Sequence, residues 1–594
     1  MVTQVPAGGL TAVEQSLVEH VGCGEWLDLA AGDEAVDEAS MRSWGDDRTC
    51  SASVIRDILR GRLAPHPDPH GLRLRGARIS GRVDLENLTA DVNIELKDCL
   101  LEDGVLARDA RLASVGLPGC QLGHPSEAPL DATRLTCSLL DLTGARIIGH
   151  TEHGAVNLGG ARIGMLGCAG AILSNDSGTA LNANTVQVDQ NVFLGGGFTA
   201  TGAGNDGAVD LRGAHIGGQL SCAGAVLRND FGTALYADSV QVGVNVFLGG
   251  GSTATGAGND GAVRLAGAHI GGVLDCDGAV LRNDSGAALY ADSAQVGQNV
   301  FLRGGFTATG AGTDGAVDLR GAHIGGQLSC IGAVLRNDSG PALLADGLQV
   351  DQDMLLTDQF TATGGGSDAA VDLTGARVGG TLYFNPARLE HVTDPHRRLA
   401  CDELTYAGVP DTGRGQDWLG LLRQSSYAAQ PYQHLAAAHR ALGEERQSRE
   451  ILMAQRDDQL ARTDPNWAER LWGKITKVTL GYGYQPWRAL WFLAVVVALS
   501  CLLAVVLGAH GALAQTSKTA SPGRSCTVVQ QVSVGLDLNL PVGTSVARVA
   551  CDVTKDSASV TAAWLTVVGW VLRVLAWVFA ALFIAGFTSA VRKT

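Results

Sequence analysis

The sequence predicts a mainly β fold: a right-handed parallel β-helix, wound in coils of about 26–28 residues. Helical segments close it, and two transmembrane helices follow. Three observations predict this. A long unit recurs through the middle of the chain, its apolar residues pair at a spacing of two, and two apolar stretches near the C-terminus match the thickness of a bilayer.

The repeat comes first. Residues 207–260 read GAVDLRGAHIGGQLSCAGAVLRNDFGTALYADSVQVGVNVFLGGGSTATGAGND. Residues 261–314 and 315–368 repeat it at a spacing of 54, residues 154–206 are a copy one residue shorter, and 369–384 begin another. The unit divides again, because 208–222 aligns without a gap on 234–248, setting Val209 on Leu235, Ile216 on Val242, Leu220 on Val246 and Cys222 on Leu248. The physical coil is therefore half of the repeat.

Within a coil the apolar pairs are Val209/Leu211, Ala214/Ile216, Leu220/Cys222 and Ala225/Leu227. Spacing by two puts both members on one face of a short strand, so four pairs make four sides. Glycines 213, 217 and 224 fall between them, where a turn can demand positive φ. Cys168, Cys222, Cys276 and Cys330 recur every 54 residues and form one inner core ladder. With one coil between them, neighbours lie ~10 Å apart, too far for a disulfide. They read as small core residues.

The elements follow in order. Residues 1–70 form a helical N-terminal cap, with apolar helical spacing in 10–21 and 51–63 and Ser51 as an N-cap. A solenoid end exposes unpaired strand edges, which such a segment covers. Residues 71–390 are the solenoid, with room for roughly twelve coils at ~4.8 Å each. Residues 391–487 are a helical cytoplasmic linker; Tyr432, Leu435, Ala438 and Leu442 make one stripe and Gly443 ends it. Residues 488–510 are the first transmembrane helix, 511–561 an extracytoplasmic loop, 562–591 the second helix and 592–594 a cytoplasmic tail.

Basic residues Arg470, Lys474, Lys477 and Arg488 precede the first span, and Arg592 and Lys593 follow the second. The positive-inside rule then places both termini in the cytoplasm, as a two-span protein of the cell membrane. The first residues show no charged start followed by an apolar run, so no signal peptide is expected. Cys526 and Cys551 fall in the outer loop, an oxidising setting where a disulfide is expected. Arg573 interrupts the second apolar stretch and is a candidate intramembrane charge, or snorkels to the interface.

Composition and motifs narrow the function. The net charge of −16 argues against a general nucleic-acid binder. GxGxxG occurs at Gly202, Gly204 and Gly207, and again at 256–261 and 310–315. A dinucleotide fingerprint needs a helix to begin at that turn, and here AVDLRG follows, so no cofactor is expected. GAGND resembles the calcium nonapeptide of β-rolls but occurs once per 54 residues; Asp206, Asp260, Asp314 and Asp368 read as turn carboxylates. The string Thr479-Leu-Gly-Tyr-Gly483 precedes the first span, the wrong place for an ion filter. No zinc-protease, serine-hydrolase, Walker or CxxC string is present.

The pairs in DLRGAHIGGQL and LDLTGARIIG resemble pentapeptide-repeat and related right-handed β-helix proteins, although six residues separate Ile216 from Cys222. GLRLRGARISGRVDL, LGYGYQPWRALWFL, VGLDLNLPV and IAGFTSAVRK together resemble a group of bacterial membrane proteins often labelled membrane-associated oxidoreductases. The resemblance implies a membrane location and a β-helix, and related architectures join such repeats to two-span channel modules. It carries over no catalytic residue.

The leading expectation is a membrane-anchored β-solenoid acting as a binding or scaffold module. Its partners are then the lipid bilayer and a protein on the solenoid face, with no nucleic acid. The alternatives are the oxidoreductase that the label implies, and a channel or sensor, which with two spans per chain requires a homo-oligomer.

Overall fold

The computed structural model describes residues 9–32, 36–413, 417–462, 466–511, 513–515, 524–539, 551–553 and 560–593. The chain divides into two compact units, residues 1–438 and 439–594.

The first unit is a parallel β-solenoid of about thirteen turns. Each regular coil lays down four short strands, as the four apolar pairs require. In one coil these are Val209–Asp210, His215–Ile216, Leu220–Ser221 and Val226–Asn229. The first kind stacks into a 13-stranded sheet, the second and third share a 24-stranded sheet, and the fourth builds a 14-stranded sheet. The register matches the alignment of the half-repeats: Val209 pairs with Leu235, Ile216 with Val242 and Leu220 with Val246. Leu235 then pairs with Val263, so coils of 26 and 28 residues alternate.

The core is a set of stacked inner ladders. One alternates Leu142, Cys168, Leu194, Cys222, Leu248, Cys276, Leu302, Cys330 and Leu356, all buried. Another sets Phe198, Phe306 and Phe360 between coils that carry alanine at the same place. A bulky side chain on one coil is thus answered by a small one on the next, which fills the interior without overpacking. Buried Asn229 donates from Nδ2 to the carbonyls of Gly204 (2.8 Å) and Thr233 (3.0 Å), closing a turn that would otherwise hide unpaired carbonyls. Gly207 ends the GxGxxG string at φ +96°, and a strand follows it rather than a helix.

The N-terminal cap contains α1 (Ala12–Cys23), α2 (Glu38–Arg42) and α3 (Ala52–Leu59). Thr11 and Glu14 form a capping box on α1, and Ser51 caps α3 by accepting from the Ser53 amide. The cap also extends the sheets: Leu27 pairs with Leu74, and Cys50 with Ile79. The first edge strands are therefore hydrogen-bonded as well as covered.

The solenoid runs further than the sequence boundary at residue 390. Arg388–His391 pairs with Thr361–Gly364, Leu399–Ala400 with Val371–Asp372, and bridges continue at Thr405 and Asp411. This last coil hides in the sequence because Pro386 and Pro395 interrupt it and its apolar pairs are degraded. Helix α4 (Trp418–Gln424) and α5 (Ala429–Ala441) follow. Trp418 lies edge-on to Phe384, and the Tyr406 and His434 rings are 4.5 Å apart, so these helices close the solenoid's second end.

The second unit holds α6 (Glu445–Arg462), α7 (Trp467–Leu480), α8 (Trp487–Ala509), α9 (Val528–Asp537) and α10 (Val560–Lys593). Gly443 precedes α6 at φ +81°, where the predicted helical stripe breaks. Two segments, Trp487–Ala509 and Val567–Thr588, are long and apolar enough to cross a membrane. Phe492 of α8 stacks on Phe579 of α10 with ring centroids 5.3 Å apart.

Candidate functional site

Cys168, Cys222, Cys276 and Cys330 are buried free thiols, separated along the stack by leucines. Burial alone pushes the Cys222 and Cys330 thiols up to about 12. Such thiols are neutral at ordinary pH and are poor nucleophiles or ligands. Among the described residues, no group of three or more His, Cys, Asp or Glu side chains is arranged to hold a metal ion.

The turn carboxylates Asp206, Asp260 and Asp314 pair with arginines. Arg212 reaches Asp206 at 2.9 Å and Arg264 reaches Asp260 at 3.3 Å. Arg212 also grips the buried Asp210 at 2.6 Å and lies over the Tyr236 ring at 4.5 Å. Arg264 sits over both Tyr236 and Tyr290. These groups knit adjacent coils by charge-assisted and cation–π contacts, so they are structural.

The 24-stranded sheet carries a different ladder on its outer surface. Where Ile216, Val242, Ile270, Val296 and Ile324 point inward, their predecessors point outward: His215, Gln241, His269, Gln295 and His323. The register stacks them directly, His215 on Gln241, Gln241 on His269, His269 on Gln295 and Gln295 on His323. Exposed histidine and glutamine thus alternate coil by coil, ~4.8 Å apart. His215 Nδ1 and Gln241 Oε1 are 3.2 Å apart, and His323 Nε2 lies 3.1 Å from Asp351 Oδ1.

Beside this ladder runs a floor of glycines. A Cβ on Gly243 would lie 2.3 Å from the Gly217 carbonyl oxygen, so only glycine allows the coils to approach there. The bare backbone and the His/Gln row line a shallow, open groove of about 610 Å³, with the Asp351 carboxylate also in its wall. Imidazole and amide groups can both donate and accept hydrogen bonds. The groove can therefore hold an extended polar chain laid along the stack. The sequence reading looked to the inner face and passed over this row. The same half-repeat alignment contains it, setting His215 opposite Gln241.

In the second unit the structure joins Cys526 and Cys551 as a disulfide, with Cα atoms 6.3 Å apart. Leu513–Gln515 pairs antiparallel with Cys551–Val553 beside it. Leu513, Cys526, Val534 and Cys551 form a small core against Leu503 and Leu507 of α8. Arg573 lies within the second apolar segment, six residues past Val567. The side chains of Arg592 and Lys593, and residues 1–8, lie outside the described residues.

The stretch read as an outer loop contains α9, which lies alongside α8 rather than beyond it. Near one end, Gln531 packs on Gly508, where an added Cβ would lie 2.9 Å from the side-chain amide. Further along, Gly535 packs on the Cys501 backbone, where a Cβ would lie 2.5 Å from Cys501 Cα. Ser500 Oγ donates to Asn539 Oδ1 at 3.2 Å, and Asn539 Nδ2 donates to the Gly535 carbonyl at 3.0 Å. Asp537 Oδ2 is buried with no hydrogen-bond partner among the described residues. Sequence reasoning missed this helix; its signals are the Thr527 capping box with Gln530 and the run of valines at 528, 529, 532 and 534.

No protein family, no curated protein and no solved structure matches this chain.

Proposed function

We propose that the protein is a membrane-anchored binding module. In this reading α8 and α10 hold the chain in a bacterial cell membrane with both termini in the cytoplasm, and the solenoid presents its wide sheet to a protein partner. One observation carries it: the His/Gln ladder over a glycine floor, an exposed, regular hydrogen-bonding row that the fold itself does not need. Inner ladders hold a solenoid together; an outward row of this kind is free to act on something else. A rigid stack also presents such groups at fixed spacing, which lowers the entropy lost on binding.

The test uses the full-length protein in its native membrane, with a photo-crosslinking residue placed in turn at His215, His269 and His323. One discrete adduct from all three positions, and none from Val226 or Val280 on the 14-stranded sheet, is the expected result. Equal labelling of both sheets, or no adduct from the groove, would overturn the proposal. Carbonate extraction of the same membranes checks the anchor, since release of the protein would refute it.

A further inference from the structure

We infer that the cavity where α6 and α7 meet the end of α10 binds one zwitterionic phospholipid, its phosphate at Arg456 and an acyl chain along Leu582 and Ala585. The inference rests on the reading that α8 and α10 span a bilayer.

Level is the first step. Helix α7 leaves Trp467, Leu471, Ile475 and Val478 exposed at helical spacing on one side, with exposed Lys474 and Lys477 along its edge. An apolar helical face edged by lysines suits a bilayer surface, where rings and methyls enter the acyl boundary and ammonium groups stay among the headgroups. The apolar segment of α10 ends at Thr588. At 1.5 Å per residue, Ala585 then lies ~4.5 Å and Leu582 ~9 Å inward of that end. A cavity lined by these residues and by α7 therefore runs from acyl depth to the surface.

Shape is the second step. Helices α6 and α7 form a tight antiparallel hairpin: a Cβ on Gly473 would lie 2.7 Å from Leu460 Cδ1, and one on Gly481 would lie 3.2 Å from Met453 Sδ. Lys477 Nζ and Tyr482 Oη both donate to the Asp457 carboxylate, at 2.8 and 2.7 Å. Helix α10 meets the end of this hairpin, where a Cβ on Gly586 would lie 3.1 Å from Leu480 Cδ2 and 3.3 Å from Pro486 Cβ. These contacts fix the walls around about 860 Å³. That is the size of a small-ligand site, enough for a headgroup and the first carbons of a chain, with the rest of the tails in the bilayer.

Chemistry is the third step. Leu480, Leu582 and Ala585 give the cavity an apolar lining, and α6 adds Gln455, Arg456 and Gln459. Arg456 Nη1 donates to Gln459 Oε1 at 2.6 Å, which holds the guanidinium beside an amide. A guanidinium takes phosphate oxygens in pairs, and an apolar lining takes the chain attached to them. Glu469 also lines the cavity, and its Oε2 accepts from the Asn466 amide. With one arginine and one glutamate in the lining, a headgroup carrying both signs fits better than an anionic one.

The experiment measures the native mass of the full-length protein in detergent after incubation with dioleoylphosphatidylethanolamine, dioleoylphosphatidylglycerol, dioleoylglycerol or inorganic phosphate. The expected result is one phosphatidylethanolamine retained per chain, with dioleoylglycerol, which lacks the phosphate, held about tenfold more weakly. Arg456 is exposed, so Arg456→Gln should leave the fold intact, cut phosphatidylethanolamine retention about tenfold and leave dioleoylglycerol unchanged. Ala585→Trp, which fills the apolar lining, should weaken both lipids. Equal retention of phosphatidylethanolamine and dioleoylglycerol by the unaltered protein would overturn the inference. So would tighter binding of phosphatidylglycerol, binding of inorganic phosphate in place of the lipid, or unchanged retention in Arg456→Gln. Should either variant misfold, the ranking of the four probes on the unaltered protein still decides the matter. Release of the protein from its native membrane by carbonate would refute the underlying reading instead.

Discussion

The solenoid and the second unit support their buried polar groups in different ways. In the solenoid, Asn229 and Asn283 bond to the carbonyls of neighbouring turns, and Asp210 and Asp318 are gripped by Arg212 and Arg320. Partners come from the same turn or the next coil, so one solution repeats along the stack. In the second unit Ser500 bonds to Asn539 between α8 and α9, Asn539 and Gln531 donate to the Gly535 and Cys526 carbonyls, and Asp537 Oδ2 has no hydrogen-bond partner among the described residues. The difference teaches that a stacked fold settles its buried polar groups by repetition, while the second unit settles each one singly.

The sharpest way to break this contrast is inside the solenoid. Phe306→Ala removes a fully buried ring from a ladder whose neighbouring coils carry Ala279 and Ala333. No adjacent bulk can collapse into the gap, so a loss of about 3–5 kcal/mol is expected. Circular dichroism at the β-sheet band, followed through thermal unfolding of the full chain, should show it. The proteolytic cleavage pattern of residues 439–594 at low temperature should not change.

The next effect falls on the other side. Cys526 and Cys551 are 25 residues apart, and opening that loop with Cys526→Ser and Cys551→Ser should cost about 3 kcal/mol. Limited proteolysis of the segment between Cys526 and Cys551 should become faster under the same detergent conditions. An unchanged cleavage rate would show that β-pairing of Leu513–Gln515 with Cys551–Val553 holds the segment without the bond.

Alkaline titration probes the solenoid thiol by thiol, with a smaller, graded effect for each. Burial holds the Cys50, Cys137, Cys222, Cys330 and Cys401 thiols up at about 12, against an ordinary value of 9.0. The unfolded chain ionises first. Their stabilising contribution is thus complete below pH 9 and is lost as pH rises toward 12. Each thiol contributes a slope of at most about 1.4 kcal/mol per pH unit in that window. The solenoid's melting temperature should fall between pH 9 and 10.5, and less steeply in a Cys222→Ala, Cys330→Ala double variant. The smallest effect is at the surface: Arg228→Ala breaks an exposed pair with Asp230 and should shift stability by less than about 0.5 kcal/mol in the same melt.

Much of the solenoid was legible because stacking makes contacts periodic. Aligning 208–222 on 234–248 already names the pairs Val209–Leu235 and Leu220–Val246 that the sheets form. Ser51 was legible as a cap because its hydroxyl precedes a helical apolar stripe. Leu27–Asp28, a two-residue strand, carries no pattern of its own and pairs only because Leu74–Arg75 offers an edge. The coil beyond residue 390 was lost where prolines replace the repeat's turn residues. Helix α9 was lost for another reason. Ten residues are too few to register as a span, and a loop between two spans is read by default as lying in water. The groove was lost because its rows alternate, so neither histidine nor glutamine looks persistent until the coils are stacked.

The alternating inner ladder also constrains how this gene can change length. Adding or deleting residues in blocks of 54 keeps every phenylalanine beside alanine and every cysteine beside leucine. Removing one coil around Ala333 would bring Phe306 and Phe360 onto adjacent coils and leave the same row overfilled. Recombination between near-identical copies has therefore a natural quantum here, two coils or ~10 Å of stack. Lineages carrying this chain should differ in solenoid length by whole multiples of that step, while the caps and the second unit stay constant.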